Sequence, residues 1–183
     1  MNAPIDTTNI YIETSRLILR AWRESDLEDL YEYASVPGVG EMAGWIHHKD
    51  LAESASILRM FIDGKKTLAI VFKATGKVIG SLGIEKVKDV LELPDSLQGR
   101  ELGYVLSKEY WGQGLMPEAV NALVHFCFHE LDYDYLTCAH FRKNCQSRRV
   151  IEKSGFTFWK EVTHETRYGT AEDTLLYIQY HER

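Results

Sequence analysis

Residues 110–128 read YWGQGLMPEAVNALVHFCF, with two glycines flanking a glutamine just before a run of helix formers. The first amides of a helix lack intrahelical partners, and the helix dipole adds about half a positive charge at that end. A strand, a short glycine turn and a helix N-terminus therefore make a site for an anion such as phosphate. Gly112 and Gly114 let such a group approach the main chain, and Pro117 in the first turn forfeits no hydrogen bond. The same spacing also serves an ordinary turn, and the nucleotide fingerprints GxxxxGKS/T and GxGxxG are both missing.

Other reactive side chains point to less. Cys127, Cys138 and Cys145 form no CxxC pair and are odd in number, against a disulfide framework or a zinc site. Cys127 falls in an apolar helical stripe, and Cys138 and Cys145 have no recognisable catalytic histidine arrangement. His47 and His48, in GEMAGWIHH, are within a loop that can touch substrate, but no Asp, Glu or Cys stands at ligand spacing, so no metal is expected. Met42 and Trp45 of that loop either line an acceptor pocket or pack at its rim.

The glycine turn needs a strand before it and a helix after it. The strand is expected over 101–106 and the helix over about 117–130, where Leu115, Ala119, Ala122, Leu123, Phe126 and Cys127 keep the helical period. Upstream, a strand over 17–21 precedes Ser25 and Glu28, spaced as a capping box that opens a helix through Ala34. Asp50 and Glu53 repeat that spacing ahead of an amphipathic helix stopped at Gly64. Apolar runs 68–72 and 78–84, joined by KATGK, read as a hairpin turning at Gly76, with a polar loop around Pro94 after it. A strand over 135–140, a helix over 147–153 ended by Gly155, and strands over 156–162 and 174–180 complete the chain. This order predicts an α/β (α+β) fold with a mixed, largely antiparallel central sheet of about seven strands and helices on both faces.

Composition agrees with one compact domain spanning 1–183, large enough to bury a core without disulfide or metal. With 45% hydrophobic and 26% charged residues it reads as soluble and globular. Lys and Arg number 21 against 27 Asp and Glu, and the formal charge of -6 argues against direct nucleic-acid or anionic-membrane binding, while allowing a local basic pocket. The N-terminus lacks a basic segment followed by an apolar one, and no apolar run approaches membrane-spanning length, so a reducing cytoplasm is expected.

The whole pattern resembles the GNAT superfamily of acyl-coenzyme A dependent N-acetyltransferases, particularly its ribosomal-protein N-terminal acetyltransferases. ETSRLILRAWRESDLEDLYEY resembles the first strand and helix of that branch, and GEMAGWIHHKDLAES its loop into the second helix. ELGYVLSKEYWGQGLMPEA resembles its central strand, pyrophosphate loop and following helix, and NCQSRRVIEKSGF its second coenzyme motif. The resemblance implies that acetyl-CoA is the co-substrate. Main-chain amides of Tyr110, Trp111, Gly112, Gln113, Gly114 and Leu115 would hold its pyrophosphate, and main-chain groups of Tyr104, Val105 and Leu106 its pantetheine, where central strands splay. Asn144 would bond pantetheine, and Ser147 would meet the sulfur as acid or as a contact only; helix capping is compatible with both roles. Glu109 stands near the place of the usual Gln or Arg, so phosphate binding must rest on amides, with Lys143, Arg148 and Arg149 as candidate counter-charges. Ile151 occupies the position where many members carry a general-acid tyrosine.

Direct transfer needs a neutral amine beside the thioester and a proton for the departing thiolate. In resembling enzymes a Glu at the position of Glu101 serves as base, directly or through water. In a strand covered on both faces, desolvation would raise its pKa towards working pH; a structural Glu paired with an Arg is the alternative. Gly103, two residues on, marks a bulge or a close approach to the strand. An α-amine near pKa 8 is about 10% neutral at pH 7, and a lysine near 10.4 about 0.04%, a difference of about 3 kcal/mol. The expected reaction is therefore ternary-complex acetyl transfer to a primary amine, foremost a protein N-terminal α-amine, by a monomer or homodimer. A polyamine, amino acid or antibiotic acceptor is the alternative, favoured if residues 39–48 close a small acidic pocket. A non-catalytic coenzyme A binding module is the alternative to an enzyme.

Overall fold

Strand β3 (Thr67–Phe72) is apolar on both faces, with Leu68 and Ile70 in one core and Ala69 and Val71 in another. A strand of this kind must be covered on both sides. The computed structural model, which describes residues 1–87 and 93–182, has helices on both. The chain runs β1 (Tyr11–Glu13), β2 (Leu17–Ala21), α1 (Leu27–Ala34), α2 (Leu51–Gly64), β3, β4 (Val78–Glu85) and β5 (Gly99–Leu106). It continues through α3 (Leu115–His129), β6 (Tyr135–Phe141), α4 (Cys145–Lys153), β7 (Thr157–Glu165) and β8 (Ala171–Tyr180). The strands form one sheet in the order β1-β2-β3-β4-β5-β6-β8-β7, in which β5 and β6 are parallel and the other neighbours antiparallel. The larger core joins the sheet to α3 and Ile151 of α4, and the smaller joins it to α1 and α2. Among the described residues no helix is long and apolar enough to cross a membrane.

The sheet has eight strands where about seven were expected. The additional one, β1, is three residues long with a largely exposed burial pattern, too short for alternation to mark it. One helix start also differs from expectation. Ser25 makes no cap; a 3-10 turn (Glu24–Asp26) precedes α1, and buried Asp26 accepts from the Arg23 amide at 2.8 Å and from both terminal nitrogens of Arg20 at 2.8 Å. A carboxylate with a guanidinium partner ties the turn to β2, which a serine hydroxyl cannot do. α2 ends at Gly64 as expected, with Lys65, at φ 47, as its left-handed cap.

At the start of α2 the expected cap is present. Asp50 Oδ1 accepts from the Glu53 amide at 2.8 Å, while Glu53 reaches the Lys49 amide at 2.8 Å instead of that of Asp50. Asp50→Ala should lower stability by about 1 kcal/mol, read as a lower denaturant midpoint with an unchanged m-value.

Candidate active site

β5 and β6 pair only through Gly99–Leu102 and Tyr135–Cys138. Past Leu102 and Cys138 they part, although β5 stays bonded to β4 as far as Leu106 and β6 to β8 as far as Phe141. Backbone groups facing the gap have no sheet partner there, and buried backbone polar groups require one. The gap is a cleft of about 520 Å³, within the usual range of small-molecule sites. Glu101, Gly103, Tyr104, Val105 and Leu106 line it from β5. The register across Gly83 and Gly103 is regular, so Gly103 is not a bulge; it is exposed, with nothing within 4 Å of where a Cβ would stand. Coverage of β5 on both faces thus fails at Gly103, because the open cleft, not a helix, lies over it.

On the α3 side, the glycine turn forms the cleft wall. Gly112 and Gly114 both lie at φ 75, and Gly114 is the N-cap of α3, which begins at Leu115, earlier than its periodicity implied. The amides of Tyr110 and Trp111 are spent within a 3-10 turn, donating to Ser107 and Lys108 carbonyls at 3.0 and 3.2 Å. They therefore cannot be part of an amide cradle, though both side chains line the cleft. Trp111 Nε1 donates to the Leu106 carbonyl at 2.8 Å, taking one of its two lone pairs. Gly112, Gln113, Gly114 and Leu115 keep main-chain amides at the helix mouth, where no backbone acceptor within the described residues takes them.

Arg16, distant in sequence, was not anticipated. Its Nη1 donates to the Gln113 carbonyl at 3.0 Å, and its Nε and Nη2 meet Glu118 Oε2 at 2.7 Å. Burial raises the Glu118 carboxyl's pKa, but hydrogen bonds from Thr14 and Arg16 outweigh it and hold the group ionised below its ordinary range. Arg16 thereby offsets an anion in the first turn of α3 that would otherwise repel phosphate. Of the expected counter-charges, Lys143 is paired with Glu172 and Arg148 with Glu152. Arg149 lines the cleft, joined one turn on by Lys153, which sequence reasoning missed. Neither has an ion-pair partner among the described residues.

Asn144 caps α4, which starts at Cys145, by accepting from the Ser147 amide at 3.1 Å. Its Nδ2 also donates to the Met42 carbonyl at 3.3 Å, linking α4 to the loop after α1. Ser147 Oγ is 2.8 Å from the Tyr104 hydroxyl, which donates to the Ser147 carbonyl at 3.1 Å. Burial pushes the Tyr104 phenol well above its usual range, so it stays protonated as a hydrogen-bonding partner. The two buried thiols are inert for the same reason: burial raises Cys127 to about 12 and drives Cys138 further up.

The opposite mouth lies between the loop after α1 and strands β6–β8, where Val39, Met42, Phe141, Val162, Thr163 and His164 line it. Of the loop residues singled out in the sequence, Met42 lines the cleft; Trp45 packs over Gly40 and against the His48 ring. His48 is buried with Nδ1 2.7 Å from Ser54 Oγ, and burial lowers its pKa. His47 Nδ1 is 2.7 Å from Glu41 Oε1, and Glu41 also accepts from the Gly38 amide at 2.7 Å. The loop is held to the β7–β8 turn by the Arg167 amide on the Gly44 carbonyl at 3.0 Å.

At Glu41 burial raises the pKa, but bonds from His47 and Gly38 prevail and bring it down to about 2. A carboxyl depressed on folding stabilises above its unfolded value and loses that contribution as pH falls through the folded one. Glu41→Gln should accordingly be less stable than the parent near neutrality, with the gap in denaturant midpoints narrowing as pH falls from about 4.5 to about 2. Among the described residues no cluster of three or more His, Cys, Asp or Glu is placed to hold a metal ion.

The family description "Acetyltransferase (GNAT) domain" matches residues 16–157. The uncharacterized N-acetyltransferase p20 of Bacillus licheniformis is 27% identical over 149 residues, 78% of this chain and 80% of that protein. Among solved structures, a GNAT-family acetyltransferase from Bacillus anthracis has a TM-score of 0.82 at 19% identity, covering 95% of this chain and 100% of its own. The ribosomal-protein-S5-alanine acetyltransferase of Vibrio fischeri has a TM-score of 0.74 at 19% identity, covering 95% and 98%. At such identity these structures attest the shared fold.

Proposed function

We propose that this chain, which belongs to the GNAT acetyltransferase family, acetylates the α-amine of a protein N-terminus. The enzyme is an acyltransferase and acetyl-CoA is its co-substrate. The observation that carries the reading is the parting of β5 from β6, because it opens one cleft to the glycine helix mouth on one side and to Glu101 on the other. We take residues 1–183 as one such domain, since β1 and β8, outside the matched 16–157, belong to the same sheet.

In this reading the amides of Gly112, Gln113, Gly114 and Leu115 receive the pyrophosphate, and Arg149 and Lys153 balance its charge. Main-chain groups of Tyr104 and Val105 along the gap hold the pantetheine arm, with Asn144 at the cap of α4 beside it. Glu101 removes a proton from the incoming ammonium, directly or through water, and the freed amine attacks the acetyl carbonyl. The C–N bond forms, the C–S bond breaks, and the departing thiolate takes up a proton. Ser147 contacts that sulfur, and Tyr104 fixes the Ser147 hydroxyl. The likeness to a ribosomal-protein acetyltransferase supports a protein N-terminus as acceptor, as does the low pKa of α-amines.

A coenzyme A release assay over peptides with free N-termini, N-blocked lysine peptides, polyamines and aminoglycosides tests this. Free N-terminal peptides should be the best acceptors; turnover confined to polyamines or aminoglycosides would overturn the reading.

A further inference from the structure

Charge is distributed unevenly along the cleft. Among the described residues Glu101 is the one carboxylate lining it, while Arg149 and Lys153 both belong to α4, at the helix-mouth end. The opposite mouth is apolar at Val39, Met42, Ala43, Phe141 and Val162. Carboxylates near that mouth are engaged elsewhere: Glu41 within its own loop, Glu172 on Lys143, and Glu161 and Asp173 on Arg142. An acidic pocket closed by residues 39–48 is therefore not what the loop builds.

We infer that the acceptor carries one positive charge, on the reacting amine, and an uncharged, largely apolar body. For a protein N-terminus this means a first residue with a neutral side chain. The inference rests on the reading of the Glu101 mouth as the acceptor site. A second ammonium, as in spermidine, an aminoglycoside or an N-terminal lysine, sheds water on entering and meets no second carboxylate. An N-terminal aspartate brings a like charge towards Glu101. Methionine, phenylalanine and valine side chains instead offer contact to an apolar body.

The test measures kcat/KM with acetyl-CoA for peptides that differ only in beginning with Ala, Lys or Asp, and for phenethylamine beside spermidine. The neutral member of each comparison should be preferred by about tenfold or more. Met42→Glu and Thr163→Glu, made separately at exposed positions of the mouth, should each shift the phenethylamine-to-spermidine ratio towards spermidine by about tenfold. Indifference to charge in the parent, or an unmoved ratio in both variants, overturns the inference. Preference for phenethylamine over spermidine with no peptide acetylated would uphold the charge rule and reject the protein N-terminus; peptides acetylated irrespective of first-residue charge would do the reverse.

Discussion

Gly112→Val raises the dissociation constant of acetyl-CoA at least about tenfold in calorimetry, equivalent to about 1.4 kcal/mol. Two independent features lead there. Gly112 sits at φ 75, where an L-residue costs about 1–2 kcal/mol, so a β-branched side chain pulls the turn out of the conformation that aims its amides. A Cβ at Gly112 would also meet no protein atom within 4 Å, so the side chain would project into open space at the cleft rather than into the core. That is the space an approaching pyrophosphate needs. Gly112→Ala separates the two contributions, being smaller but equally displaced from its preferred φ. Gly114 is a less discriminating site, because it is also the N-cap of α3, so a substitution there acts on the helix start as well as on the turn. Unchanged affinity in Gly112→Val, with the protein folded, would remove the phosphate cradle from the mechanism.

What the sequence disclosed of this site follows the range of the interactions involved. The turn at Gly112 and Gly114, the N-cap at Asn144 and the hairpin at Gly76 are local, and all three are present, because a missing β-carbon or a side chain reaching three residues on acts within one turn. Periodicity, apolar runs and cap spacings also marked β2 to β8 and all four helices to within a few residues. The sequence is silent about pairs brought together by topology. Arg16 reaches Gln113 and Glu118 because β2 lies beside α3 in the finished sheet, and no spacing in the chain announces it. The same holds for the neutralisation of Lys143 by Glu172 across the β8 start, and for Asn144 reaching Met42. Ser25 misled for a related reason: its spacing fits a cap, but Asp26 has a half-buried guanidinium from β2 to draw it into the turn. Lys153 carried a signal that was passed over, standing four residues after Arg149 on one helix face.

Glu101→Gln should lower kcat/KM about 100-fold while leaving acetyl-CoA affinity in calorimetry unchanged. The substitution keeps the shape of the side chain and removes its charge and its capacity to take a proton, so lost turnover beside unchanged acetyl-CoA affinity separates a role towards the amine from a role in holding the coenzyme. By the alternation of β5, Leu102 faces the larger core and Glu101 the opposite side, towards the mouth at Met42 and Phe141 and away from the α3 helix mouth. Of the buried histidines, His140 also lines the cleft, but burial lowers its pKa, and its Nδ1 is 2.8 Å from the Phe141 carbonyl and its Nε2 3.3 Å from the Tyr177 hydroxyl. With both nitrogens occupied it has no free position from which to meet an amine. A carboxylate base takes a proton from the incoming ammonium, whereas without it the rate follows the fraction of amine already neutral, so the acid limb should be steeper in Glu101→Gln and its deficit should shrink as pH rises towards the amine's pKa of about 8. A variant that keeps both the parental rate and the parental limb would transfer the proton to a water chain that does not depend on Glu101.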